Sequence, residues 1–136
     1  MQFTFAYTRL LVEDYPTCLQ FYRDVLGLTV KYEDPENQYA ELETGDTILT
    51  LIQRHKVKEY FGEQTAVVFG QQDDGIALSF QVQDVDRARQ YLMSKGVEFL
   101  NEPWKFTEWG IVTTLFRDPD GNLVELLQSS TDILPK

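Results

Sequence analysis

The chain has 136 residues, enough for one domain or for two very small modules sharing a core. Its 12 Lys and Arg against 22 Asp and Glu give a net charge of −10, which argues against nucleic acid and anionic membranes as partners, since both require positive patches. A hydrophobic content of 43% and a charged content of 25% are ordinary for a soluble globular protein, and no run approaches the ~18 apolar residues that span a bilayer.

Met1–Asp14 (MQFTFAYTRLLVED) lacks the basic region and small-residue cleavage site of a signal peptide. Cys18 is the single cysteine, so no internal disulfide can form. Together these features predict a cytoplasmic protein. Phe3 to Val12 alternates as a strand does, with Phe5, Tyr7, Arg9 and Leu11 on one face. Asp14 is a good N-cap, and Cys18, Leu19, Phe21, Tyr22, Val25 and Leu26 follow at helical spacing. Gly27 stands where a helix-closing glycine should. Strands are predicted over Leu28–Glu33, Tyr39–Glu43 and Thr47–Gln53, separated by the turn residues 34–37 and 44–46.

The pattern then repeats. Gly75 to Val82 reads as a second opening strand, Asp84 caps a second helix, and Gly96 ends it. Strands follow over Val97–Leu100, Trp109–Phe116 and Leu123–Gln128. Asp14 and Asp84 lie 70 residues apart, and cap to closing glycine is 13 residues in one copy and 12 in the other. Similarity at a fixed spacing marks an internal duplication. The expected fold is therefore α+β, a domain over residues 1–128 built from two β-α-β-β-β modules. These span 1–53 and 75–128, with a connector over 54–74 and a tail over 129–136. One helix covers one face of a four-stranded sheet, so the other face must be buried by a second sheet or enclose a cavity.

The closing stretch Arg117–Gln128 (RDPDGNLVELLQ) joins a Pro-Asp-Gly turn to an apolar strand broken by Glu125. By parity Glu125 groups with Leu123 and Leu127. A carboxylate on an apolar face is costly unless paired. Glu125 is either the exposed residue of an edge strand or a functional carboxylate lining a cavity.

Four stretches carry a resemblance to a known family: FYRDVLGL (Phe21–Leu28), DVDRARQYLMSKGV (Asp84–Val97), Trp109-Gly110 and RDPDGNLVEL (Arg117–Leu126). The chain resembles, over nearly its whole length, the vicinal oxygen chelate superfamily. That superfamily holds glyoxalase I, extradiol dioxygenases, fosfomycin-modifying enzymes and bleomycin-binding proteins. The resemblance implies two βαβββ modules with curved sheets forming a cavity, completed by pairing modules within or across subunits, and hence a homodimer. It also implies four metal-ligand positions, one on the first and one on the last strand of each module. In this sequence they fall on Tyr7, Thr50, Ala77 and Glu125. Only Glu125 is of the family's ligand type, so neither a bound metal nor another cofactor is expected. The lone histidine, His55, sits in the basic run Gln53-Arg54-His55-Lys56 and reads as a solvated loop residue.

With the positions mapped this way, Phe5, Tyr7, Arg9, Thr50, Ile52, Ser79, Gln81, Trp109 and Glu125 are the expected ligand-binding residues. Ile48, Ala77, Leu123 and Leu127 share the inward face. Trp104, Phe106, Tyr60, Phe61 and Phe69 are expected with Trp109 at the rim. Arg9 could compensate Glu125 or hold an anionic ligand bidentately. Two function classes follow. One is a metal-free protein that binds a small aromatic or amphipathic molecule, its acidic charge attracting cations. The other is a lyase- or dioxygenase-type enzyme. A metal-free enzyme would use Glu125 as general base and Tyr7 or Arg9 to stabilise an oxyanion. A regulatory domain with a filled cavity is a third possibility.

Overall fold

The structure, a computed structural model, describes residues 1–2, 4–57, 69, 74–106 and 110–129. The chain forms two units, Met1–Gln71 and Gln72–Lys136. The first runs β1 (Tyr7–Val12), α1 (Tyr15–Gln20), β2 (Thr29–Asp34), β3 (Tyr39–Glu43) and β4 (Ile48–Gln53), in sheet order β1-β4-β3-β2. The second runs β5 (Ala77–Gln81), α2 (Val85–Ser94), β6 (Trp104–Phe106), β7 (Ile111–Arg117) and β8 (Leu123–Ser129), in order β5-β8-β7-β6. In each sheet the opening strand pairs in parallel with the closing strand, and the other pairs are antiparallel.

The same local chemistry builds both helices. Asp14 Oδ1 accepts the Thr17 amide at 3.2 Å, and Asp84 Oδ1 accepts the Arg87 amide at 3.1 Å. A glutamine from the closing strand takes a second orphan amide in each copy. Gln53 Oε1 accepts Tyr15 N, and Gln128 Oε1 accepts Val85 N, both at 2.8 Å. Gln53 also donates from its side-chain nitrogen to the Glu13 carbonyl. These bonds satisfy amides that a helix start leaves without partners. Gly27 (φ +77°) and Gly96 (φ +91°) end the helical segments in the left-handed region, where a Cβ would be strained. Before Gly27 the helix widens into a π-turn over Phe21–Val25, and Leu26 N reaches back to Phe21 O at 3.0 Å.

The glutamine caps fix which sheet face lies under each helix. Gln53 shares its parity with Leu49 and Leu51, and the core of the first module is Val12, Cys18, Tyr22, Leu42 and Leu51, all at 0% exposure. Burying one such leucine contributes about 1.5–3 kcal/mol. In the second module Gln128 shares its parity with Val124 and Leu126, which are buried with Val85 and Leu92 of α2. Residues of opposite parity face away from the helix. That face carries the candidate site.

Three expected elements differ. The strands predicted from Phe3 and from Gly75 begin at Tyr7 and Ala77, because their partners β4 and β8 begin opposite those residues, at Ile48 and Leu123. The strand predicted over Val97–Leu100 is one bridge, Phe99 to Phe116, and the edge strand is instead Trp104–Phe106. Asn101 explains the shift. Its Oδ1 accepts Leu115 N and Thr114 Oγ1, both at 3.0 Å, in place of ladder bonds, and Pro103 has no amide to donate. The Arg117–Asn122 turn is as the sequence predicts. Buried Asp118 accepts from Asp120 N, Asn122 N and Asn122 Nδ2 at 2.8–2.9 Å. Arg117 clamps Asp74 at 2.9 and 2.7 Å and donates to Gly121 O at 3.0 Å.

Candidate functional site

On the first module, Arg9, Thr50 and Glu41 form one row across β1, β4 and β3. Arg9 Nη1 donates to the Tyr39 hydroxyl at 3.2 Å and to Thr50 Oγ1 at 3.4 Å. The Tyr39 hydroxyl donates onward to Glu41 Oε2 at 2.7 Å. The guanidinium carbon lies 4.7 Å from the Tyr7 ring centre and 5.9 Å from that of Tyr39, within cation–π range. Thr50 is wholly buried, while Arg9 and Tyr7 are open to solvent. Burial pushes the Tyr39 phenol up from its ordinary value of 10.0, its hydrogen bond to Glu41 adds to the rise, and Arg9 opposes it. The phenol is therefore a neutral link between a cation and a carboxylate.

Ile52 is wholly buried in a cluster with Tyr39 and Val57, against which Leu11 and Phe69 pack. It forms the floor of the face rather than an open wall. Phe5 precedes β1 and is 74% exposed. Arg54 lies over the Phe69 ring at 5.0 Å, which ties that connector residue to the module. His55 is exposed, as its basic run predicts.

On the second module Glu125 takes the position that Thr50 takes on the first. It pairs with Ser79 of β5 as Thr50 pairs with Arg9 of β1. Its strand is not an edge: β8 lies between β5 and β7, which removes that alternative. Glu125 is half-buried. Its Oε1 accepts Ser79 Oγ at 2.7 Å and its Oε2 accepts Thr113 Oγ1 at 2.5 Å. These partners are hydroxyls of the neighbouring strands, because register places Ser79 directly beside Glu125 and Thr113 diagonally across from it. Ala77 and Gln81 share the Ser79 parity and are exposed. Exposed Trp104 lies in β6, Tyr60, Phe61 and Trp109 lie outside the described residues, and for Phe106 only the backbone is described.

The four positions expected to hold a metal offer a poor donor set. Ala77 has no ligating atom. The Thr50 hydroxyl already accepts from a guanidinium, whose charge opposes a second cation. Tyr7 lies beneath that same guanidinium. Glu125 is a competent ligand, but a catalytic divalent ion generally takes about three protein ligands. These residues do not fit the group. Sequence reasoning missed Tyr39, although its shared parity with Glu41 and the pairing of two adjacent antiparallel strands were available as signals.

A family model described as the Glyoxalase/Bleomycin resistance protein/Dioxygenase superfamily matches residues 4–126. The uncharacterised protein YraH of Bacillus subtilis is 37% identical over 118 residues, covering 87% of this chain and 92% of YraH. Biphenyl-2,3-diol 1,2-dioxygenase 3 of Rhodococcus globerulus is 31% identical over 129 residues, covering 89% of this chain but 60% of that enzyme. A crystal structure of a glyoxalase/bleomycin resistance protein/dioxygenase from Nocardioides has a TM-score of 0.76 at 22% identity, covering 100% of this chain and 89% of that one, a likeness of fold.

Proposed function

Because the chain belongs to the glyoxalase/bleomycin resistance protein/dioxygenase superfamily, we propose that it is a metal-free member that binds a small molecule on the sheet faces turned away from its helices. The observation that carries this reading is the substitution of the ligand set. At the first module's two family ligand positions a guanidinium bonds Thr50 and lies over Tyr7, and at the second module's Glu125 accepts from Ser79 and Thr113. A mostly apolar face with a few fixed polar groups is the usual composition of a small-molecule site.

A second reading, a lyase- or dioxygenase-type enzyme, is favoured by the similarity to the Rhodococcus dioxygenase. In a metal-free version Glu125 is the general base. Each of its oxygens accepts one hydroxyl hydrogen bond and has capacity for another.

The working state in this proposal is a cytoplasmic homodimer. Exposed Phe5, Ile76 and Trp104 supply apolar surface that a partner copy would cover, and a single thiol, Cys18, suits a reducing compartment. A thermal-shift screen against metabolites and antibiotics tests the binding reading. We expect one chemical class to raise the Tm, with the rise lost in Arg9→Ala or Glu125→Ala. A ligand that protects both variants as well as the native protein would place binding elsewhere.

A further inference from the structure

We infer that the Arg9 side chain is a carboxylate clamp, so that the ligand proposed above is a monocarboxylate carried on an apolar body. The inference rests on the binding reading and names its chemical class. Net charge alone points the other way, toward cationic ligands, so the local geometry has to decide.

The Arg9 guanidinium has five N–H donors in a fixed plane. The two on Nη1 go to the Tyr39 and Thr50 hydroxyls. The three on Nε and Nη2 have no partner among the described residues. That free edge has the side-on fork geometry that matches the two oxygens of a carboxylate. Arg9 also makes no ion pair among the described residues. By contrast Arg23, Arg54, Arg89 and Arg117 are paired with Asp24, Glu13, Glu102 and Asp74. The nearby carboxylate of its own row, Glu41, is engaged by the Tyr39 phenol.

Arg9 is nevertheless held in place. Tyr7 and Tyr39 lie within cation–π range, and two hydroxyls fix one end of the plane. Orientation therefore costs the ligand little, which is how a preorganised site gains affinity. Leu11 and Ile48 share the face and offer apolar contact to the rest of the molecule. One guanidinium in a chain of net charge −10 suits a single negative charge better than a dianion.

The test uses the full chain and calorimetric titration with benzoate, phenylacetate and octanoate, each beside its amide and its amine. Carboxylates are expected to bind about tenfold or more tightly than the matching amides, since each loses charge-assisted bonds. Arg9→Lys keeps the charge but lacks the fork, and Arg9→Gln lacks both. Both are expected to lose this preference while circular dichroism shows the fold intact. The acid-to-amide comparison is made on the native protein, so it stands even if a variant misfolds. Amides or amines that bind as tightly as the acids overturn the clamp and leave the binding reading in place. A failure of every compound to bind overturns both.

Discussion

Ser79 and Glu125 lie side by side on the parallel pair β5 and β8, and the serine hydroxyl donates to the carboxylate at 2.7 Å. Thr113 approaches the other oxygen from β7 at 2.5 Å. Three strands are thus tied at one half-buried acid. Glu125→Ala removes the acceptor of both hydroxyls and should cost about 1–3 kcal/mol. Glu125→Gln keeps an acceptor and should cost less. Urea denaturation measures both, and an unchanged midpoint in Glu125→Ala would show that the hydroxyls are equally well served by water.

The paired glutamines provide a second test. Gln53 is 8% exposed and makes two hydrogen bonds, to Tyr15 N and Glu13 O, whereas Gln128 is less buried. Cap losses typically cost about 0.5–2 kcal/mol. Gln53→Ala should lie at the upper end and Gln128→Ala at the lower, read from the same denaturation midpoints. The reverse order would contradict the burial argument.

Tyr39 gives the pH dependence. Its phenol is raised above the unfolded value by burial and by Glu41. A group raised in the folded state contributes stability that is fully present below the unfolded value, here near 10.0. That contribution is lost as pH rises through the folded value. Absorbance at the tyrosinate band should show a late ionisation step, and Tyr39→Phe should reduce that step by one tyrosine. The same variant leaves Glu41 and Arg9 short of a partner and should cost about 1–3 kcal/mol near neutral pH. A late step of unchanged size in Tyr39→Phe would show that other phenols account for all of it.

Much of this was legible in the sequence for reasons that are local. Asp14, Asp84, Gly27 and Gly96 act through their own backbone neighbours, so spacing alone placed both helices. Tyr39–Glu43 was legible because turn residues bound it on both sides. Strand beginnings were less so, since Tyr7 and Ala77 mark where a distant partner starts. The edge strand Trp104–Phe106 was missed because a side chain, that of Asn101, replaced ladder bonds. The Gln53 and Gln128 caps were missed although each stands at or next to the end of its module's last strand, after Leu-Ile and Leu-Leu. The Arg9–Tyr39–Glu41 chain depends on register between three strands, and parity within one strand does not supply that.

The proposed homodimer predicts the sedimentation behaviour. At micromolar concentration the protein should sediment at twice the mass of its 15.8 kDa chain. Substituting Phe5 with Ser should weaken the association if its exposed ring belongs to the interface. A species of single-chain mass at that concentration would count against the dimer.

The proposed binding of a small molecule without a metal is tested by metal analysis of native protein purified without chelator, with Glu125→Ala prepared in parallel. Zinc, nickel, iron and manganese should each be far below one equivalent, and the variant should not differ. One equivalent of any of them, lost when Glu125 is replaced, would overturn the metal-free reading.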